Sequence, residues 1–161
     1  MLGDRGQAVT RPAYVTWVGH ATLLVELAGV RVLTDPVLTQ RIGHLRRRTA
    51  PPAAATRRTD VVVISHAHGD HLHRRSLRMV LEASPRALVV VPRGAAVHLP
   101  ALGSARVEEV VAGDVIERDG LWIEGLPRWL PETARRFERA LAERGMLDLL
   151  VRLEPGETAR W

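Results

Sequence analysis

A chain of 161 residues, 46% hydrophobic and 25% charged, has the balance of a globular domain large enough to bury a core unaided. It contains no cysteine, which excludes disulfides and thiolate metal sites and leaves His, Asp and Glu to hold any zinc. The net charge of +5 rests on arginine alone, and aromatic residues make up only 4%, which argues against a base-stacking nucleic-acid surface.

Residues 1–12 are polar and glycine-bearing and read as a flexible N-terminus without a hydrophobic signal core. No stretch approaches the roughly 20 apolar residues of a membrane span, so a cytoplasmic protein is expected. A β-rich segment over 14–19 ends at Gly19. Two apolar runs, 22–27 and 30–34, are joined by Ala28-Gly29 and predict a β-hairpin. Asp35-Pro36 ends it, because proline lacks a ladder donor and restricts its neighbour. Residues 39–59 are rich in Arg, Pro and Ala and show no periodicity, which predicts a functional or disordered loop. Within it, Arg46-Arg47-Arg48 and Arg57-Arg58 read as solvated, with contact to an anionic substrate as the alternative.

The β-branched run Val61-Val62-Val63-Ile64 predicts a strand buried on both faces. It leads into His66-Ala67-His68-Gly69-Asp70-His71. Residues 74–83 follow with Leu77, Val80 and Leu81 at helical spacing. A buried strand is expected at 87–91, and a weaker helix at 94–102, interrupted by Pro100. Short strands are expected at 106–111, 115–118 and 121–124, with turns at Gly113-Asp114 and Asp119-Gly120. Residues 132–144 read as an Arg/Glu-rich amphipathic helix with Phe137 and Leu141 inward, and 147–153 as a final strand or helix.

The histidine run carries the chemistry. In extended backbone alternate side chains share a direction, so His66 and His68 converge on one metal. Asp70 and His71, at the entry to the helix, face a second. Neutral imidazole and carboxylate are ligands that zinc, iron(II) and manganese accept. A hydroxide shared between two ions roughly 3.5–4 Å apart is a strong nucleophile at neutral pH. The competing reading is a histidine-rich helix cap on a surface loop, but the buried strand before and the helix after supply the context a metal motif requires. Of the other candidates, His73 reads as solvent-facing, His44 as an exposed loop residue and His98 as structural. Asp114 and Asp119 read as turn residues, and Trp17, Trp122 and Trp129 as core or rim filling.

His66-x-His68-x-Asp70-His71, preceded by Ile64-Ser65 and followed by Leu72, resembles the signature of the metallo-β-lactamase superfamily. Trp17-Val18-Gly19-His20-Ala21-Thr22 and Leu33-Thr34-Asp35-Pro36 resemble the opening of its branch of ascorbate-phosphate lactonases and N-acyl-phosphatidylethanolamine-type phospholipases D. The resemblance implies an αββα sandwich with metals at one edge of two packed sheets. It implies metal-bound hydroxide attacking a small-molecule ester, lactone or phosphodiester. It also implies one or two Zn2+ ions, with Mn2+ or Fe2+ as alternatives. His66 and His68 would serve the first ion and Asp70 and His71 the second, with Asp70 also catalytic in orienting the water. His20 and Asp35 fall in motifs near this site and are not assigned as ligands; no substrate-binding residue is assigned.

The family's third metal histidine sits in a Pro-Ala-x-His-Trp context. The corresponding stretch here is Leu126-Pro127-Arg128-Trp129, and no histidine follows His98. The expectation is therefore an α/β chain carrying the N-terminal half of the sandwich over 13–126. A divergent helical tail follows over 127–161, as in a truncated or frameshifted product. The alternative to a hydrolase is a catalytically inactive fragment, with an arginine-driven nucleic-acid module behind both.

Overall fold

The computed structural model describes residues 13–27, 29–118, 121–124 and 156–160. The apolar runs near the start pair as β1 (Tyr14–Gly19), β2 (Thr22–Leu27) and β3 (Val30–Thr34), an antiparallel meander that sets Val25 between Val15 and Val32. The β2–β3 turn passes through Gly29 at φ 88°, where a residue without Cβ meets no steric penalty. The expected hairpin is present. The stretch expected as a loop over 39–59 carries local order: a two-stranded ribbon of β4 (Arg41–Ile42) and β5 (Leu45–Arg46), then a 3-10 turn at Ala53–Thr56. Pairings of two residues leave no periodic trace in a sequence.

From β6 (Val61–Val63) onward the sheet grows in parallel. The helix α1 (Arg74–Ala83) is the crossover from β6 to β7 (Leu88–Pro92), and β8 (Arg106–Val110) follows on the far side. Because β6 also pairs in parallel with β3, the carboxyl ends of β3 and β6 lie side by side. A separate antiparallel ribbon joins β9 (Val115–Arg118) to β10 (Leu121–Glu124). Finally β11 (Thr158–Arg160) pairs antiparallel with β1, giving a seven-stranded sheet of order β11-β1-β2-β3-β6-β7-β8.

Strand alternation divides the core between the two sheet faces. Leu24, Leu33, Val62, Val89 and Val91 pack under α1 with Leu72, Leu77, Val80 and Leu81. Val32, Val61, Leu88 and Val90 face the other way and are covered in part by Ile116 of β9. Val61 and Val62 are both fully buried, as the continuous β-branched run predicts. This mixed sheet, with a helix on one face and a β-ribbon on the other, has the layering expected of the N-terminal half of an αββα sandwich.

Two expectations need correction. The helix expected over 94–102 is only a 3-10 turn, Ala96–His98. Gly94 sits at φ 83°, and Glu109 Oε1 accepts hydrogen bonds from the amides of Gly94 and Ala96, satisfying donors that a helix would leave free. Val97 is 81% exposed, and the apolar residues that do pack on the core, Ala95, Leu99 and Leu102, are held by the 3-10 turn and the extended chain after it. The second correction concerns the tail. The helix expected at 132–144 and the element at 147–153 lie outside the described residues, but within the 127–161 stretch residues 158–160 form a strand, not a helix. Thr-Ala-Arg is too short and too polar to announce itself. No helix among the described residues is long and apolar enough to cross a membrane.

Candidate metal centre

The site begins with Asp35, the first residue after β3. Its backbone adopts φ 35°, a left-handed conformation uncommon for a side-chain-bearing residue. Three contacts hold it there. Asp35 N donates to Val63 O across the parallel β3–β6 junction at 2.8 Å. The hydroxyl of Thr22 donates to Asp35 O at 2.7 Å and accepts from Val37 N at 3.0 Å, clamping the turn from both sides. The carboxylate itself is nearly buried, with its side chain 7% exposed, and it is fully engaged. Oδ1 accepts from Ser65 N at 2.7 Å, while Oδ2 accepts from Ser65 Oγ at 2.7 Å and from His71 Nδ1 at 2.9 Å.

These bonds fix the tautomers of two histidines. His71 Nδ1 carries the proton it gives to Asp35, so its Nε2 presents a lone pair. Ser65 Oγ spends its own proton on Asp35 and therefore accepts one from His66 Nδ1 at 2.9 Å, which leaves His66 Nε2 unprotonated too. The relay His66–Ser65–Asp35 thus prepares a second imidazole as a ligand. Burial, followed by the neighbouring His71 and His68, holds the His66 pKa below its ordinary value, which also favours the neutral ring.

His66, His68, Asp70 and His71 sit where the sequence places them, between β6 and α1. The ring centroids of His66 and His71 are 3.9 Å apart and those of His66 and His68 are 4.7 Å apart. His71 Nε2 lies 3.8 Å from Asp70 Oδ2. Among the described residues, donor atoms of His20, Asp70 and His71 lie within 4.8 Å of one another, close enough to share one ion. His66 and His68 belong to no such group of three. Desolvation pushes the Asp70 carboxyl upward, but a hydrogen bond from its own backbone and the adjacent His71 and His20 rings outweigh it, leaving Asp70 below the usual carboxylate value.

Sequence reasoning left His20 unassigned. It lies in the β1–β2 turn at φ 54°, the second left-handed non-glycine residue of the described chain, and its Nε2 is 3.2 Å from Asp70 Oδ2. Trp17 Nε1 donates to His20 O at 2.9 Å, so this tryptophan pins a turn and does more than fill space. Arg47, read as part of a solvated cluster, folds back instead: both of its terminal nitrogens donate to Val18 O, at 2.9 and 2.6 Å. Gly19 makes room for it, since a Cβ there would stand 2.9 Å from Arg47 Nη1. The guanidinium is drawn inward because a carbonyl at the irregular end of β1 needs a donor.

His73 is half-buried, and its Nδ1 accepts from Ser76 N as the N-cap of α1; burial and then Arg75 lower its pKa. The sequence reading had placed it in solvent. Arg46 does face solvent, lining with Arg41, Arg75, Thr39, Gln40 and Met79 a groove of about 550 Å³ that shares no residue with the histidine cluster.

The donor set fits a divalent ion: imidazole nitrogens and a carboxylate, with a buried second carboxylate behind them, the arrangement typical of zinc sites. Comparison with known proteins gives the same direction. The sequence pattern of the family described as "Beta-lactamase superfamily domain" matches residues 14–135. The chain is similar to a metal-dependent hydrolase of Methanopyrus kandleri, 36% identical over 117 residues that cover 71% of this chain and 46% of that one. It is similar to an N-acyl-phosphatidylethanolamine-hydrolyzing phospholipase D of Caenorhabditis elegans, 35% identical over 50% of this chain and 25% of that one. Among solved structures it superposes on a metallo hydrolase of Ignicoccus hospitalis with a TM-score of 0.51 and 25% identity, covering 68% of this chain and 44% of that chain. A diiron β-hydroxylase of Streptomyces venezuelae shares the fold, with a TM-score of 0.55, 22% identity and coverage of 74% and 24%. The chain spans less than half the length of each of these proteins.

Proposed function

Because this chain belongs to the metallo-β-lactamase superfamily, we propose that it forms the amino-terminal, metal-binding part of a hydrolase for small esters, lactones or phosphodiesters. Zn2+ is the first choice of ion, with Mn2+ and Fe2+ as alternatives, since nitrogen and oxygen donors accept all three. His66 and His68 serve one ion position, and Asp70 and His71 the other. The observation that carries this reading is the Asp35 relay, which holds His71 and His66 in the tautomer a metal requires beside the Asp70 carboxylate.

When bound, such an ion supplies a Lewis acid and a nucleophile at neutral pH. The protein's own groups do the rest. Asp70 is ionised and half-exposed, so it can accept a hydrogen bond from an attacking water and orient it. Asp35 and Ser65 keep the imidazoles aimed. The phospholipase D relative makes a phosphodiester the first substrate class to assay.

A second reading, a metal-binding fragment without turnover, is favoured by the absence of any histidine after His98 in these residues. One experiment separates the two. Metal content would be measured on the full chain and on His66→Ala/His68→Ala and Asp70→Ala/His71→Ala double variants, followed by hydrolysis of chromogenic phosphodiester, ester and lactone probes. One or two ions per chain, lost in the variants, with turnover of a probe supports the hydrolase. Bound metal without turnover supports the fragment, and no bound metal defeats both.

A further inference from the structure

The His66–His71 run supplies two ligands to the ion held by Asp70 and His71, whereas a catalytic zinc site ordinarily has three and an open position. We infer that His20 is the third protein ligand of the ion held by Asp70 and His71, an inference that rests on the metal-dependent reading above. The geometry is the first support. His20 Nε2 lies 3.2 Å from Asp70 Oδ2, and all three donors fall within 4.8 Å of one another. Ligands about 2.0–2.2 Å from a tetrahedral ion stand roughly 3.3 Å apart, so the His20–Asp70 spacing is already that of two corners of one coordination sphere. His71 Nε2, at 3.8 Å from the same carboxylate oxygen, has to close by only about half an ångström to reach that spacing.

The backbone is the second support. Left-handed backbone is uncommon for any residue that carries a side chain, with Asn, Asp and His the ones found there most often. Here it is a histidine at φ 54°, held by the Trp17 Nε1 bond to its carbonyl and preceded by Gly19, which admits Arg47 onto Val18 O. Two side chains, Trp17 and Arg47, hold the turn, and the imidazole it carries is directed at Asp70. Strain concentrated on a residue that faces a candidate centre points to a role for its side chain. Nor does the rest of the fold use that ring: its polar contact among the described residues is Asp70 alone. A surface His–Asp pair with side chains 44% and 40% exposed adds little stability, so holding a strained turn for it has no other evident return.

This ion position draws two imidazoles and one carboxylate from two segments, the β1–β2 turn and the His66–His71 run. It places a ligand in the amino-terminal motif that contains Trp17 and Gly19.

Zn2+ binding by the full chain would be measured by competition against a chromophoric chelator, for the wild type, His20→Asn and Asp70→Ala. Asn tolerates the left-handed backbone but is too short to reach the ion. In parallel, a long-range 1H–15N spectrum of the wild-type imidazoles would be followed during Zn2+ addition, which removes any dependence on how a variant folds. We expect His20→Asn to weaken Zn2+ binding by at least about tenfold, and the His20 Nε2 resonance to move together with that of His71. If Zn2+ binds and is lost in Asp70→Ala, while His20→Asn binds as tightly as wild type and the His20 resonance stays still, the ligand assignment is wrong and the metal-dependent reading survives. If the wild type binds no Zn2+ at all, both fall together.

Discussion

At the scale of single residues, the centre is organised around Asp35. Its carboxylate accepts from Ser65 N, Ser65 Oγ and His71 Nδ1, and its side chain is almost inaccessible. Carboxylates that orient metal-bound histidines typically govern affinity by 10–100-fold. Asp35→Ala is therefore expected to weaken Zn2+ binding by about 10–100-fold, although Asp35 touches no ion itself, and chelator competition would read it. The same substitution leaves Ser65 N without its acceptor, at a cost of about 1–3 kcal/mol, visible in urea denaturation of the metal-free protein. Unchanged affinity would remove the relay from the account of the site. The motif Leu33-Thr34-Asp35-Pro36 marks this aspartate in the sequence, but not what it does. Its role follows from β3 and β6 being parallel neighbours, which brings residues 35, 65 and 71 to one point.

At the scale of elements, α1 decides whether the histidine run is held at all. Its start is capped by His73, and Ser76, fully buried, accepts from Leu38 N at 2.7 Å, tying the helix to the segment after Asp35. Leu77, Val80 and Leu81 seat the helix on Leu33, Val62 and Val89. Leu77 has no exposed surface, so Leu77→Ala is expected to cost about 2–5 kcal/mol through lost contacts and the residual cavity. Denaturant titration checks the value, and a loss below about 1 kcal/mol would mean that the helix is loosely seated. This element was legible in advance: three apolar residues at helical spacing predicted it, and the structure has it over the expected residues. The weak helix at 94–102 was not, because its backbone donors are claimed by Glu109, a residue on a different element.

At the scale of the whole molecule, the far end of the chain bears on the site. Gly156 N donates to Trp17 O at 2.6 Å and Trp17 N to Glu157 O at 3.1 Å, while β11 covers the edge of β1. Trp17 is the residue whose indole pins the His20 carbonyl. Deleting residues 156–161 is expected to do two things. It uncovers the β1 edge, with a loss of about 1–3 kcal/mol from the missing ladder and a tendency to self-associate that sedimentation velocity would show. It also loosens the turn that carries His20, so Zn2+ affinity falls with it. A truncated chain that stays monomeric and binds Zn2+ as before would uncouple the two ends.

The sequence by itself determined what is local. Period-two alternation and β-branched runs give the strands, 3.6-residue spacing gives α1, and the concentration of His66, His68, Asp70 and His71 gives the candidate ligands, because each signal lies within a few neighbouring residues. Only the tertiary structure decided what is joined across distance. The approach of His20 to Asp70, the grip of Asp35 on His71, the inward turn of Arg47 and the return of β11 to β1 link residues from 29 to 146 positions apart. Such contacts are settled by sheet order and by the need of buried carbonyls and carboxylates for donors, and neither is written in the neighbours of the residues concerned.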